Sequence, residues 1–267
     1  MTSQTTEIEP GLVLQNIQGP LRLQDFKLIA FDMDSTLINI ECVDEIADAA
    51  GRKAEVAAIT EAAMRGEIAD YKESLRQRVA LLKGVTVAHM EEVYTRRLQL
   101  NPGAAALVAA CKAAGLKVLL VSGGFTFFTD RIRERLGLDF ARSNVLEVES
   151  GPNCGASHST GRPELGCTPL GDQAQPGSGA ILTGRMVDQP WGDICDGAEK
   201  RRTLLEVASL MGIPMEQTIA MGDGANDLPM MGVAGLSVAY HAKPAVREKA
   251  NVAINSGGLD RLLTVLR

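Results

Sequence analysis

The stretch KLIAFDMDSTLIN, residues 27–39, decides the fold of this chain, because in it an apolar run ends abruptly in two aspartates. Leu28 to Phe31 have the composition of a strand that is buried on both faces, and such strands belong to parallel sheets covered by helices. In open α/β sheets, ligands bind beyond the carboxyl ends of the strands. The pattern therefore predicts that Asp32 and Asp34, which follow this strand, line a site at that edge.

The same pattern recurs twice further along the chain, in LKVLLVSGGF (116–125) and in TIAMGDGAND (218–227). Helical sequence separates these runs, and one helix is predicted over 198–211. Further strands are predicted in AGLSVAYHA (234–242) and NVAINS (251–256). Strands that alternate with helices form right-handed crossovers. The sequence therefore predicts an α/β fold with a doubly wound, mostly parallel, Rossmann-like sheet.

Two segments stand apart from this alternation. Helix formers with helical periodicity dominate from Val43 to about Arg97, which predicts a small helical cap inserted after the first strand. Residues 152–179 are rich in Gly, Pro, Ser and Thr and lie between two strand-like segments, which predicts a β-hairpin with a long flexible loop. The predicted organisation is an N-terminal extension over 1–26, a core over 27–40 and 100–267, a cap over 41–99, and the loop within the core.

Composition narrows the class of protein. The net charge of −6 argues against a broad nucleic-acid surface, which needs clustered Lys and Arg, although a local basic pocket for a small anion is compatible with it. No apolar run reaches the ~18 residues of a membrane span, and the first ten residues lack the features of a leader.

The five cysteines are odd in number and scattered, which favours a reducing cytoplasm over a disulfide framework. Cys154, His158 and Cys167 lack the paired short spacing of a zinc site, so the loop is predicted to bind no metal.

Four short segments are expected to meet at one edge of the sheet: DMDST (32–36), SGG (122–124), Lys200 and GDGAND (222–227). Carboxylates ~4 Å apart repel by roughly 4 kcal/mol per pair at an effective dielectric near 20, so they stay ionised together only beside a cation. Clustered carboxylates with no histidine nearby favour a hard, oxygen-liganded ion, Mg²⁺ rather than Zn²⁺. The segments therefore predict a magnesium site.

The remaining groups of this set suit a phosphate. Ser122 can donate through its hydroxyl, Gly123 through its backbone N–H, and Lys200 as a point charge. The spacing leaves Arg201 and Arg202 as alternatives to Lys200. Beside such a site, the first aspartate of DMDST can act as a nucleophile on phosphorus and the second as the proton carrier.

These segments resemble the four motifs of the haloacid-dehalogenase phosphatases, from about Lys27 to Ile254. With ECVDEIA, SLRQRVALLKG and AGLSVAYHAKP, the resemblance extends to the phosphoserine phosphatase branch of that superfamily. It implies hydrolysis of O-phospho-L-serine to L-serine and phosphate, a step of serine biosynthesis, with Mg²⁺ and an aspartyl-phosphate intermediate.

The resemblance also implies a role for each site residue. Asp32 would be the nucleophile, and Asp34 would protonate the leaving oxygen and later deprotonate water; acidic neighbours would help by raising the pKa of Asp34. By the same resemblance, Mg²⁺ would be held by Asp32, the backbone carbonyl of Asp34 and Asp223, with Asp227 in support. The phosphoryl oxygens would be held by Ser122, Gly123, Lys200 and Asn226.

Substrate choice is expected to rest on the cap. Glu41 and Arg78 match the family positions that bind the ammonium and the carboxylate of the amino acid. Helical spacing places Tyr71, Leu75, Arg78 and Leu82 on one stripe, and an arginine among apolar residues favours bidentate carboxylate binding.

The cap sequence departs from the family pattern in two respects. The chain is one residue longer between Met64 and Tyr71, and Tyr71 stands where Phe is expected. Cys42, beside the predicted pocket, is expected to be a small buried hydrophobic residue.

Two other functions compete with this interpretation. The same chemistry could act on another small phosphomonoester, or transfer the phosphoryl group to an acceptor such as homoserine. A non-catalytic phosphate-binding regulator on the same fold would have lost the nucleophile or the metal ligand, but Asp32, Asp34 and Asp223 are all present.

Overall fold

The strand that begins at Leu28 lies near the centre of a sheet, as its apolar sequence predicts. Ile29 and Phe31 pack into the apolar core on one face, Leu28 and Ala30 pack into that on the other, and none of the four is exposed. A strand with no polar face is stable only where helices cover both sides of the sheet. The computed structural model describes residues 5–17, 20–64, 67–68, 70–150, 168–169 and 179–267.

The strands of the described residues join into one sheet in the order β1-β2-β10-β9-β8-β3-β4-β5-β6, with β7 pairing with β5. Neighbouring strands from β10 to β5 are parallel, so their carboxyl ends meet at one edge. The predicted doubly wound α/β fold is confirmed. The strands are β1 (Thr5–Glu9), β2 (Leu12–Gln15), β3 (Leu28–Phe31), β4 (Lys117–Phe125), β5 (Phe140–Ser150), β6 (Thr168–Pro169), β7 (Ala180–Val187), β8 (Thr218–Gly222), β9 (Leu236–Tyr240) and β10 (Val252–Ile254).

Among the described residues, five helices lie between β3 and β4 along the chain, and the first four of them lie where the sequence predicts the cap. The third of them starts after Asp70, whose carboxylate accepts a hydrogen bond of 3.0 Å from the backbone N–H of Lys72 and so caps the helix. The helices are α1 (Cys42–Ala49), α2 (Lys53–Met64), α3 (Tyr71–Ala80), α4 (Val87–Glu92), α5 (Ala104–Ala113), α6 (Thr126–Leu136), α7 (Gly197–Leu210), α8 (Leu228–Met231), α9 (Pro244–Arg247) and α10 (Leu262–Val265).

The loop between α3 and α4 is joined to the hairpin strand β7. The backbone N–H of Leu182 donates to the carbonyl of Val85, and its carbonyl accepts from the N–H of Gly84, each at 2.8 Å. The cap therefore rests on the hairpin as well as on the two chain segments that connect it to the core.

The N-terminal segment contributes to the sheet, although the sequence predicts it to be an extension outside the core. Strand β1 turns at Gly11, which has a φ of +75°, into β2, and β2 pairs antiparallel with β10. A Pro-Gly turn between two short alternating segments is a hairpin signal, so this addition could have been predicted.

Most of the predicted loop over 152–179, with Cys154, His158 and Cys167, lies outside the described residues. Over the part of the chain that is described, no helix combines the length and the apolar character needed to cross a lipid bilayer.

Candidate active site

The two aspartates of DMDST lie on a sharp turn that begins where β3 ends. Asp32 is in an extended conformation, while Ser35 has a φ of +55°, in the left-handed region. The Oδ1 atom of Asp32 accepts a hydrogen bond of 2.7 Å from the backbone N–H of Met33. Asp32 is 5% exposed, so the turn buries a carboxyl group at the edge of the sheet.

Lys200 is the cation beside this carboxyl group. Its Nζ atom lies 2.6 Å from Oδ1 of Asp32 and 2.7 Å from Oδ1 of Asp227, and its side chain is fully buried. Arg201 and Arg202, the alternatives that the spacing left open, are exposed. Burial alone would lower the pKa of Lys200, but the charges of Asp227 and Asp32 raise it, so the ammonium stays protonated.

A third carboxylate completes an acidic cluster. One oxygen from each of Asp32, Asp223 and Asp227 lies within 4.8 Å of the others. Burial and the charge of Asp227 raise the pKa of Asp32, against the attraction of Lys200, and the same two causes raise the pKa of Asp223 to about 6. The single ammonium therefore leaves the cluster with an excess of negative charge.

This donor set fits a hard divalent cation, because every side-chain ligand in it is a carboxylate oxygen. Both oxygens of Asp227 already have partners within the protein. Its Oδ1 accepts a hydrogen bond from Lys200, and its Oδ2 accepts from the backbone N–H groups of Asp223 and Gly224, at 3.2 and 3.0 Å. Asp223 accepts one hydrogen bond of 3.1 Å from the hydroxyl of Thr36. Asp32 and Asp223 are thus better placed as ligands, and Asp227 supports them.

Asp34 has its own environment, separate from the cluster. Its Oδ2 accepts from the backbone N–H of Cys42 and its Oδ1 from the thiol of Cys42, both at 3.1 Å. Burial and the nearby carboxylate of Glu41 raise the pKa of Asp34 to about 7. Asp34 can therefore carry a proton near neutral pH. Cys42 is buried, as the sequence predicts, but it also orients this carboxyl group.

The glycine-rich turn formed by residues 122–124, at the carboxyl end of β4, faces these acids. The Oγ atom of Ser122 accepts a hydrogen bond of 2.9 Å from the N–H of Gly124. Asn144, which sequence reasoning missed, holds this turn: its amide donates to the carbonyl of Gly123 and accepts from the N–H of Cys195, each at 2.8 Å. The available signal was an Asn in a strand-like segment, directly before the apolar pair Val145 and Leu146.

A cavity of about 100 Å³ lies between the core and the cap. From the core, its walls are formed by Asp32, Asp34, the turn 122–124 and Asn226. From the cap, its walls include Glu41, Tyr71, Leu75 and Arg78. Lys200, Asp223 and Asp227 are not on the walls; they lie behind or beside Asp32 and set its charge.

The two predicted recognition residues of the cap have different environments. Glu41 is exposed, and its Oε1 accepts a hydrogen bond of 2.6 Å from the hydroxyl of Ser35. Arg78 is half-buried, and its Nε donates to the carbonyl of Ser74 at 3.4 Å. Among the described residues, no carboxylate lies within 4.0 Å of the Arg78 guanidinium, so its terminal nitrogens are available to a ligand.

Comparison with known proteins places this arrangement in a family. A profile of the haloacid dehalogenase-like hydrolases matches residues 26–164, and a second profile of the same description matches residues 194–258. A phosphoserine phosphatase of Polaromonas sp. is 70% identical over 264 residues, which are 99% of this chain and 100% of the relative. The chain belongs to the phosphoserine phosphatase family of haloacid dehalogenase-like hydrolases.

Solved structures agree with this membership, which the sequence motifs predict and the comparisons confirm. A phosphoserine phosphatase described as a phospho-aspartyl intermediate analogue is 36% identical, with a TM-score of 0.71 over 91% of this chain and 99% of that one. A substrate-bound phosphoserine phosphatase complex is 35% identical, with the same TM-score and the same coverage.

Proposed function

We propose that the protein hydrolyses O-phospho-L-serine to L-serine and phosphate, the reaction that completes serine biosynthesis, with Mg²⁺ and through an aspartyl-phosphate. The observation that carries the proposal is a single cavity that joins a buried nucleophile and a protonatable carboxyl group, Asp32 and Asp34, to Glu41 and Arg78 on the cap. The names of the Polaromonas relative and of the two solved structures support it.

In the first step, Asp32 attacks phosphorus. Its Oδ1 is held by the N–H of Met33 and by Lys200, which leaves Oδ2 to form the new bond. As that bond forms, the bond from phosphorus to the serine oxygen breaks, and Asp34 gives its proton to this oxygen. A pKa of about 7 suits Asp34 to the task, because a general acid works best near the pH of its surroundings.

In the second step, the roles of Asp34 are reversed. The carboxylate that it has become accepts a proton from a water molecule, whose oxygen attacks phosphorus and breaks the bond to Oδ2 of Asp32. Phosphate leaves, Asp32 is again a carboxylate, and Asp34 again carries a proton. Cys42 donates to both oxygens of Asp34, which directs that side chain at the reacting atoms.

We assign the metal to Asp32, Asp223 and the backbone carbonyl of Asp34, with Asp227 in support. When bound, Mg²⁺ supplies positive charge that offsets the repulsion between the phosphate and the attacking carboxylate. Phosphoryl oxygens are assigned to Ser122, Gly123, Lys200 and Asn226.

Recognition of the amino acid is assigned to the cap. Arg78 presents terminal N–H groups in the fork geometry that matches a carboxylate. Glu41 offers a carboxylate to the ammonium group. Both line the cavity that contains Asp32, so they can hold the serine moiety while its phosphate is at the reacting edge.

The small cavity favours a metabolite over a macromolecule, and the net charge of −6 does not favour nucleic acid. Cys42, Cys111 and Cys195 are buried free thiols, which is consistent with a reducing cytoplasm.

The test is phosphate release from phosphoserine with Mg²⁺, with EDTA, and for Asp32→Asn. We expect release only in the first case, with a loss of at least ~10⁴-fold for Asp32→Asn because the nucleophile is gone. Asp25→Asn, at an exposed acid, is the matched control and should keep full activity. Activity that persists in Asp32→Asn or in EDTA would refute the mechanism, and faster turnover of phosphothreonine or phosphocholine, or transfer to an added alcohol, would favour the competing substrates.

A further inference from the structure

The hydroxyl group of Tyr71 reaches from the cap to the backbone of the glycine-rich turn. Tyr71 is the first residue of α3, and it lines the cavity opposite Gly123. A methyl group placed on Gly123 would lie only 2.1 Å from Oη of Tyr71, with the next residue, Cys195, 3.5 Å away at its carbonyl oxygen. The absence of a side chain at position 123 is therefore what makes room for this hydroxyl.

This hydroxyl has no assigned partner in the protein. Among the described residues, no hydrogen bond joins Oη of Tyr71 to another group. Tyr71 is partly buried and lines the cavity, so a molecule bound there can supply the partner that a tyrosine hydroxyl normally has. Burial also raises the pKa of Tyr71, so the group keeps its proton and can act as a donor. The structure thus leaves a hydrogen-bond donor directed into the cavity.

The charges around Oη indicate which ligand atom it would meet. Lys200 and Arg78 act on Tyr71 as cations, and Asp32 acts as an anion. The contact with Gly123 places Oη on the side where the proposed function puts the phosphoryl group. A ligand oxygen held by the N–H of Gly123 would lie within reach of Oη, while the substrate carboxylate is bound by Arg78.

We propose that Tyr71 donates a hydrogen bond to a non-bridging oxygen of the phosphoryl group, and so is a specificity-determining residue by which the cap itself binds phosphate. The inference rests on the proposed function and extends it. Its consequence is that the phosphate alone, without the serine moiety, contacts both the core and the cap. Binding of inorganic phosphate should therefore depend on a residue of the cap.

The experiment replaces Tyr71 by Phe, which keeps the ring and removes only the oxygen. We expect the dissociation constant of inorganic phosphate, measured by calorimetry with Mg²⁺ present, to rise about tenfold, in line with the loss of a hydrogen bond to a charged acceptor. The value of kcat/KM for phosphoserine should fall by a similar factor. The inhibition constant of L-serine, which has no phosphate, should stay within twofold of wild type, roughly the size of an unrelated surface change.

Tyr94→Phe is the matched control. Tyr94 also lies on the cap, but its ring faces the guanidinium of Arg131, 5.7 Å from the ring centre, and it is not on the wall of the cavity. Neither phosphate nor L-serine binding should change in this variant. A tyrosine difference absorption spectrum provides a second measurement: phosphate should perturb it in the wild-type protein and not in Tyr71→Phe, whatever the stability of the variant.

The outcomes separate this inference from the proposed function. Unchanged phosphate affinity in Tyr71→Phe, together with a phosphate-induced spectrum that persists in that variant, would overturn the inference. Weaker L-serine binding with unchanged phosphate affinity would place the hydroxyl on the substrate carboxylate and would also overturn it. If the wild-type protein binds phosphate through Tyr71 but does not hydrolyse phosphoserine, the contact stands and the proposed function fails.

Discussion

The core side and the cap side of the cavity are held in place by different kinds of interaction. On the core side, Lys200 is fully buried between Asp32 and Asp227, and all three follow or face the ends of parallel strands. On the cap side, α3 is tied to the core by Lys72, whose Nζ lies 2.7 Å from Asp193, and both of these side chains are 30% exposed or more. The proposed nucleophile Asp32 therefore depends on a buried charge pair, whereas the helix that carries Arg78 depends on ion pairs that water screens.

The largest effect is expected from Lys200→Met, because it leaves two buried carboxylates without their cation. We expect a loss of about 3–5 kcal/mol in the free energy of unfolding and a loss of roughly 10³-fold in kcat. Chemical denaturation and phosphate release measure the two quantities. Lys249→Met, at an exposed lysine, should change neither. A fully stable and active Lys200→Met would show that the buried pair does not hold the core side together.

A second effect concerns the pH dependence of stability, to which two acids of the core side contribute. Asp34 and Asp223 have pKa values raised to about 7 and about 6, against ~3.9 in an unfolded chain. Between these limits the folded state binds more protons than the unfolded state, so stability falls as pH rises. In EDTA, the free energy of unfolding should drop from about pH 4 to about pH 7, by ~1.4 kcal/mol per pH unit for each extra proton bound.

Denaturation at several pH values with EDTA, and again with saturating Mg²⁺, tests this expectation. The metal should flatten the profile, because a bound cation favours the ionised carboxylates. If stability in EDTA instead increased over this range, the crowding of acids described for the core would be wrong.

The smallest effect is expected at the cap side, from Asp193→Asn. This change removes the charge that pairs with Lys72 and with Arg76 on α3. Exposed pairs contribute ~0–1 kcal/mol, so stability should barely change, while KM for phosphoserine should rise about two- to fivefold with kcat nearly constant. Added salt should raise KM in the wild-type protein but not in the variant.

Asp188→Asn, on the same segment of chain, is the matched control for this comparison, and its kinetics should equal those of the wild type. A fall in kcat as large as that of Lys200→Met would mean that the cap ion pairs act on the reaction itself, and the contrast between the two sides would be lost.

The sequence predicts the core side well because its signals are local. An apolar strand followed by DMDST implies a buried strand with acids at its end, and parallel neighbours bring Ser122 and Asp223 to the same edge. Whether Lys200, Arg201 or Arg202 faces this edge depends on helix phase, and only the structure distinguishes them.

The features that the sequence does not predict depend on contacts between distant segments. Asn144, for example, joins Gly123 to Cys195. The close approach of Tyr71 to Gly123 also depends on how the cap packs against the core, and no sequence pattern in either segment predicts it.

The backbone bonds between Leu182 and the loop at Gly84 and Val85 have a mechanical consequence. A cap joined to the core only by its two chain connections could move as a unit. In this protein, the cap is also held by the backbone hydrogen bonds to strand β7. If the cap moves away from the core, either these hydrogen bonds break or the hairpin moves with the cap. If the hairpin moves with the cap, β7, which provides none of the assigned ligands, moves with the half of the molecule that selects the substrate.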